Sequence, residues 1–400
     1  YVFISIQTRN TNIMISTMFW IAFGILVYTY LGYVVVISFI AFLKKVFSKK
    51  ERQHQNYYPK VTLVVPAYNE EDFIQTKLEN SLALNYPKGR LELLFITDGS
   101  TDATTEILQA QDGITVMHSD QRGGKTAALN RAMQFINTEI VVFNDANTLL
   151  ANDAIQKLVQ KFADPKIGGV SGEKQVIIKN EDGTSAHGEG LYWKYESYLK
   201  RKDAEVYSVM GAAGELIAFR AELVEHLAED LILDDFMMTF NVINKGYKVD
   251  YAPNVRAVET ASANIHEELK RKTRIAAGGW QAMSRLPQLL QFWKSPLVSF
   301  MYISHRVLRW SISAFLLPVL VFLNVLLIDE STVFNVLMIG QISFYSLAFI
   351  GYKQQHSSKP SKITFVPYYF ILMNYAVIAG FFKFLRGSQS AIWERSLRTT

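Results

Sequence analysis

The chain has 400 residues, enough for two or three domains, and its 41 Lys and Arg against 36 Asp and Glu leave a net charge of +5. It has no cysteine, which excludes disulfides and thiolate metal sites and fits a cytosolic catalytic domain. No aromatic-laced basic groove or nucleic-acid motif occurs, so no nucleic-acid partner is expected. Residues 1–12, ahead of candidate starts at Met14 and Met18, form a tail without functional signal. Residues 13–43 carry no charge and exceed the roughly 20 apolar residues that span a bilayer. The run is too long for a signal peptide, so it reads as a retained transmembrane helix, with Trp20, Tyr28, Tyr30 and Tyr33 as candidate interfacial anchors. Lys44, Lys45, Lys49, Lys50 and Arg52 follow at once, and the positive-inside rule then puts the next segment in the cytosol.

From Val61 short apolar runs alternate with helical stretches, the pattern of a parallel α/β sheet. The first strand is expected at 61–65, before Pro66, and Asn69, Glu70, Glu71 and Asp72 open a helix with early acids. The second strand, 91–96, closes on Asp98-Gly99-Ser100-Thr101-Asp102, with Thr101 or Asp102 as N-cap of the next helix. A third strand is expected at 114–118. Arg122-Gly123-Gly124-Lys125 follows it, and then a helix through Ala132. The fourth strand starts at Ile140 and ends in Asn144, Asp145 and Asn147.

Ligands of open α/β sheets bind outside the carboxyl ends of the strands, where these Asx residues collect. One such residue is an ordinary turn former, but three strands ending this way point to a nucleotide pocket. Gly123 and Gly124 allow close backbone approach, and Lys125 supplies a mobile positive charge for phosphates. The spacing matches neither the phosphate loop nor the dinucleotide fingerprint, which leaves a sugar nucleotide as the natural ligand. The oxygen-bearing Asp145 and Asn147 suit a hard cation, Mg²⁺ or Mn²⁺.

Further on, Tyr192-Trp193-Lys194-Tyr195-Glu196 offers aromatic faces for sugar rings, and Gly211-Ala212-Ala213-Gly214 leaves room for a ligand. An amphipathic helix and a close-packed turn account for the same patterns. Asp234 and Asp235 lie in apolar surroundings before a helix; burial would raise a carboxyl pKa there towards that of a general base. Taken alone, a helix N-terminal acid pair explains them equally.

Residues 286–310 mix Leu, Phe and Trp with Lys294, His305, Arg306 and Arg309, as in helices lying at a membrane interface. Three apolar segments follow at 311–328, 333–350 and 363–382, each long enough to span. The connection 329–332 has no Lys or Arg and should be outside; 352–362 carries Lys353, Lys359 and Lys362 and should be inside. A last full span would leave Lys383, Arg386, Arg395 and Arg398 outside, so either it is re-entrant or the 387–400 tail is extracellular.

Taken together, these pieces resemble the membrane-embedded family 2 glycosyltransferases, the group of hyaluronan, chitin and cellulose synthases. The resemblance covers about residues 57–280 and the flanking membrane segments. It rests on Val-Val-Pro-Ala-Tyr-Asn-Glu (64–70), Thr-Asp-Gly-Ser-Thr-Asp (97–102) and Arg-Gly-Gly-Lys-Thr-Ala-Ala-Leu-Asn (122–130). Asn-Asp-Ala-Asn (144–147), Gly-Ala-Ala-Gly (211–214) and Leu-Asp-Asp-Phe (233–236) complete the set. It implies a Rossmann-like GT-A domain over 57–265, gating or interface helices at 266–310 and about three transmembrane segments within 311–386.

The resemblance also implies roles. Ala67, Asn69, Glu70, Asp98, Lys125 and Asp145 would bind the donor, with Asp98 on the nucleobase or ribose and Lys125 on the diphosphate. Asp145 would begin an Asp-x-Asp metal motif whose second acid is here Asn147, a weaker neutral ligand. Asp235 would be the catalytic base, preceded by Asp234. Gly211, Ala212, Ala213 and Gly214, with Trp193, would face the acceptor. The family's Gln-x-x-Arg-Trp motif is absent. Arg271 and Arg274 remain to clamp diphosphate and Trp280 to stack under the acceptor, so the departure bears on polymerisation more than on transfer.

The expectation is an integral protein of the cell membrane whose cytosolic domain transfers a sugar from a UDP-sugar, with inversion, to a growing polysaccharide or glycan. Single transfer to a polyprenyl phosphate or lipid is the enzymatic alternative. A catalytically silent export scaffold is the alternative of another class, although it need not keep Asp98, Asp145 and Asp235 together.

Overall fold

A computed structural model of the chain describes residues 2–47, 57–177, 184–260, 262, 264–355 and 361–392. Lys49, Lys50, Arg52, Lys359, Arg395 and Arg398, part of the topology argument, lie outside these residues. The chain divides into two compact units: one holds residues 1–36, 181–188 and 264–386, the other 37–180, 189–263 and 387–400.

The second unit is built on an eight-stranded sheet. Its strands are β1 (Val61–Ala67), β2 (Leu91–Asp98), β3 (Thr115–Ser119), β4 (Ile140–Asn144), β5 (Leu149–Leu150), β6 (Ile167–Ile177), β7 (Leu216–Arg220) and β8 (Lys248–Thr260). Their order is β3-β2-β1-β4-β7-β6-β8-β5. The expected strands at 61, 91, 114 and 140 are all present and parallel; the first two run two residues further than expected, through Pro66 in β1, and the third is shifted by one. Residues of β1 are buried on both faces, as a central strand between helical layers requires. Val61, Leu63, Val65, Phe95, Val142 and Ile74 share one core with Leu158 and Phe162.

The sheet is mixed, not parallel throughout as expected. β7 runs antiparallel to both β4 and β6, and β5 antiparallel to β8. The pairing Asn144↔Leu216 makes β7 begin where β4 ends. The turn before β7 therefore lies at the carboxyl edge, beside the ends of β1 and β2. Helix Glu71–Leu82 starts two residues after Asn69, and helix Thr104–Gln109 has Ala103, not Thr101 or Asp102, at its cap position. Asp102 still serves this end of the helix, because its Oδ1 accepts from the Thr104 N–H at 3.0 Å.

In the first unit, the N-terminal apolar run is helical from Val2–Val27 through a π turn (Tyr28–Gly32) into Tyr33–Phe47, and 10–47 is long and apolar enough to cross a membrane. So are Thr332–Lys353 and Lys362–Leu385. The segment expected as a span at 311–328 forms the shorter helix Ile312–Leu326, which reaches that length only joined to 296–310 across a 56° bend. The expected interface segment breaks into a 3-10 turn (Pro287–Leu290), helix Pro296–Tyr302, a π turn (Ile303–Val307) and Leu308–Trp310. Phe19, Ala22 and Leu26 pack on Leu320, Leu323, Leu327 and Phe334. Small residues allow the tightest approaches: a Cβ on Gly380 would strike Ala276, and one on Gly351 would strike the Thr364 carbonyl.

Candidate functional site

The carboxyl edge of the sheet is knitted together by its loops. Asn69, at φ 51°, accepts from the Thr101 N–H at 2.8 Å, and the Glu70 N–H donates to Thr104 Oγ1 at 2.8 Å. Asn69 and Glu70 thus fasten the loop after β1 to the loop after β2, and Ala67 is the last residue of β1. Asp98 closes β2, and its Oδ2 accepts from the N–H groups of Gly123 and Gly124 at 3.0 and 2.6 Å. Its Oδ1 accepts from Arg131 at 2.9 Å, a partner that no motif indicated. Gly124 has φ +91°, and a Cβ there would meet Ile392, so this position needs glycine for conformation as well as space. Above the same edge the Arg122 guanidinium lies 3.5 Å from the Tyr68 ring centre.

Beside this loop, Lys125 opens helix Lys125–Met133 and reaches Asp145 Oδ1 at 2.7 Å and Asp234 Oδ2 at 3.9 Å. Burial by itself would lower the Lys125 pKa, but the Asp145, Asp234 and Asp235 carboxylates outweigh it and hold the ammonium charged. Burial raises Asp145 above the usual carboxylate range, and Lys125 opposes it in part. Beneath the Asp145 turn lies a feature unread in the sequence. The fully buried Lys77 donates to Asn144 Oδ1 and to the Thr148 carbonyl. Burial lowers Lys77 to about 7, with the Asp145 charge pulling the other way.

Asp234 and Asp235 form the first turn of helix Asp234–Asn244. Asp235 Oδ1 accepts from the Phe236 N–H at 2.7 Å, and its carbonyl accepts from Thr239 Oγ1 at 2.8 Å. Thr239 Oγ1 in turn accepts from the Ala212 N–H at 3.2 Å, which ties the 211–214 turn to the acid helix. A Cβ on Gly214 would stand 3.0 Å from Asp235 Oδ2, so the glycine leaves this oxygen open. Burial and then the Asp234 charge raise the Asp235 pKa to about 7. Asp234 Oδ2 is buried and has no hydrogen-bond partner. Glu215, which follows Gly214, completes the cluster: burial would raise it, but Lys174 at 2.5 Å pulls it down to about 2.

Trp193 lies with its ring centre 4.7 Å from Lys174 Nζ and 5.4 Å from Lys200 Nζ. The remaining expected residues belong to the other unit, on helix Ile265–Arg285. There Arg271 pairs with Glu268 at 2.9 Å, Arg274 follows one turn on, and the Trp280 ring lies 4.7 Å from that of Phe381. Asn147 is half-buried, two residues beyond Asp145 on the same turn. Among the described residues no three His, Cys, Asp or Glu side chains gather closely enough to hold a metal ion alone.

Comparison with known proteins places this unit. Residues 62–228 match the family model for glycosyl transferase family 2. A poly-beta-1,6-N-acetyl-D-glucosamine synthase of Staphylococcus aureus is 28% identical over 236 residues, 56% of each chain. One of Staphylococcus epidermidis is 24% identical over 245 residues, 59% of this chain and 57% of that one. The chain thus spans little more than half the length of these curated relatives. A solved mannosyltransferase of Pyrobaculum calidifontis, in complex with GDP-mannose and Mn²⁺, shares the fold at TM-score 0.67 and 23% identity, across 92% of this chain and 98% of its own. The sheet whose carboxyl edge gathers Asp98, Lys125, Asp145 and Asp235 therefore has the GT-A-like fold of that mannosyltransferase, and its residues 62–228 are similar to glycosyl transferase family 2.

Proposed function

We propose that the protein transfers a sugar from a nucleotide-sugar donor to an acceptor hydroxyl, with inversion at the anomeric carbon. The observation that carries this reading is the meeting, in one hollow, of a phosphate-type lysine on Asp145 with a carboxylate whose free oxygen faces a glycine. Asp235 Oδ2 is the base: Oδ1 is committed to the Phe236 N–H, so Oδ2 removes the acceptor proton as the hydroxyl attacks the anomeric carbon. A pKa near 7 leaves a useful fraction of Asp235 ionised at neutral pH, yet makes it a strong enough base. The C–O bond to the diphosphate breaks, and Lys125 stabilises the charge that grows on the departing phosphate oxygen. The amides of Gly123 and Gly124, held by Asp98, line the same end; Asp98 thereby acts on the nucleotide through the loop it fixes.

The residues fit a divalent cation. Asp145 and Asn147 put two hard oxygen donors on one turn, and the unpartnered Asp234 Oδ2 faces the same lysine. Mg²⁺ or Mn²⁺ would be held by Asp145 and Asn147 and otherwise by donor phosphates, and would supply Lewis-acid stabilisation of the diphosphate. Arg271 and Arg274 are the proposed diphosphate clamps, and Trp280 and Trp193 the proposed acceptor-side aromatics.

We assign the donor to the UDP-sugars, and the acceptor to a growing polysaccharide, the latter in line with the polymer that the staphylococcal relatives are named for. Extrusion through the apolar helices accompanies this reading. Lys44 and Lys45 in the last turns of the first span, with Lys353 and Lys362 at the facing ends of the last two, support a cytosolic domain at the cell membrane. The missing Gln-x-x-Arg-Trp arrangement favours a second reading, transfer of a single sugar to a polyprenyl phosphate or other lipid. The test is nucleotide release by the purified protein in lipid nanodiscs with Mg²⁺ or Mn²⁺, screened over UDP- and GDP-sugars, followed by sizing of the product. A long product establishes the polymerase, one added sugar the lipid transferase, and no release from any donor overturns both.

A further inference from the structure

Glu215 stands between the two ends of the hollow, and the transfer chemistry above does not use it. It precedes β7, whose pairing Asn144↔Leu216 sets it beside the Asp145 turn. The Glu215 carbonyl accepts from Asn144 Nδ2 at 2.5 Å, so its backbone is fixed to the same amide that Lys77 holds. Its Oε1 receives Lys174 Nζ at 2.5 Å, and that ammonium is completely buried and also pairs with Glu259. Lys174 is the only side chain bonded to the Glu215 carboxylate among the described residues, and the Glu215 side chain keeps 15% exposure. The carboxylate is therefore held rigidly, by Lys174 and by its own backbone N–H, with part of its surface still accessible. Both Asp145 and Asp235 feel the Glu215 charge. An unsatisfied oxygen, Asp234 Oδ2, lies in the same hollow on a residue only 9% exposed. An oxygen of Asp234 without a hydrogen bond and the partly exposed carboxylate of Glu215, both on fixed side chains, can accept hydrogen bonds that a ligand brings.

We propose that Glu215, clamped by Lys174, is a sugar-binding residue whose Oε2 accepts a hydrogen bond from a hydroxyl of the sugar being transferred. The inference rests on the glycosyl-transfer reading. In that reading Asp145 marks the diphosphate and Asp235 the attacking hydroxyl, and the transferred sugar must lie between them. A hydroxyl is the donor that a sugar offers in quantity, and an anchored carboxylate reads its position.

The experiment compares wild type, Glu215→Gln and Glu215→Asp in nanodiscs, with Mn²⁺. It measures the Kd of the free nucleoside diphosphate and the KM of the sugar nucleotide that supports fastest release. A hydrogen bond to a charged group predicts a sugar-nucleotide KM raised about tenfold in Glu215→Gln, with nucleoside diphosphate Kd unchanged. Glu215→Asp should recover part of the loss. Unchanged nucleotide binding doubles as the control for folding, and Lys174→Gln, which frees the clamp, should move the same KM in the same direction. Equal weakening of nucleotide and sugar nucleotide would assign Glu215 to the diphosphate end and overturn the proposal. An unchanged KM, with or without a fall in kcat, would overturn it too. If wild type binds nucleotide yet turns over no sugar nucleotide, the transfer reading fails first and takes this one with it.

Discussion

Gly214→Ala isolates the geometry of the base from the binding of the donor. The new Cβ would lie 3.0 Å from Asp235 Oδ2, where ordinary contacts begin at 3.4 Å, so about 0.4 Å must be found. Asp235 cannot swing away freely, because the Phe236 N–H holds Oδ1 and Thr239 Oγ1 holds its carbonyl. The glycine does not have a positive φ, so alanine brings crowding without backbone strain. A misplacement of about 1 Å at a reacting group costs on the order of a hundredfold; 0.4 Å scales to roughly sixfold, or about 1 kcal/mol of barrier. The assay is steady-state nucleotide release with saturating donor, alongside calorimetric binding of the nucleoside diphosphate. We expect kcat to fall about sixfold with nucleotide affinity unchanged, and Gly214→Val to fall further. A kcat equal to wild type, or a parallel loss of nucleotide affinity, would refute the placement of Oδ2 as proton acceptor.

Asp235→Asn should abolish transfer while retaining nucleotide binding, and turnover at the wild-type rate would remove Asp235 as base. The rate of wild type should rise with pH through a midpoint near 7, because only ionised Asp235 accepts the proton; Asp234→Asn removes a like charge and should shift that midpoint to lower pH. Asp145→Ala should raise the Mn²⁺ concentration needed for half-maximal release at least tenfold, and an unchanged metal requirement would exclude Asp145 as a ligand. Gly351→Leu in the membrane unit drives a side chain into the Thr364 carbonyl and Tyr368, and should lower the thermal midpoint in detergent by several degrees without altering donor KM. A midpoint equal to wild type would show that the two helices separate there at no cost.

The strands at the core of the second unit were legible because each is a short apolar run closed by Gly99, the Asx turn at 145 or, one residue past Pro66, the end of β1 at Ala67. Period and punctuation are local properties, and they predicted which residues sit at strand ends. The acids of helix Asp234–Asn244 and the lysine of helix Lys125–Met133 were likewise visible as residue types at helix starts. What neither period nor punctuation contains is strand direction, which depends on how a long connection returns. The reversal of β7 moved the 211–215 turn to the carboxyl edge and placed Glu215 beside Asp145, 70 residues earlier in the chain.

The sequence by itself determined the alternation of strand and helix, the apolar helices at both ends and the set of acids and lysines available for chemistry. Only the tertiary structure decided what each one does with its charge. Lys77 and Lys174 look like ordinary surface lysines in the chain, yet both are buried and pinned to the site by long-range partners. Asp98 turned out to hold a glycine loop, and Asp235 acquired a pKa near 7 from burial and from Asp234. Burial and the position of distant charges set those properties, and both are fixed only when segments far apart in sequence pack together.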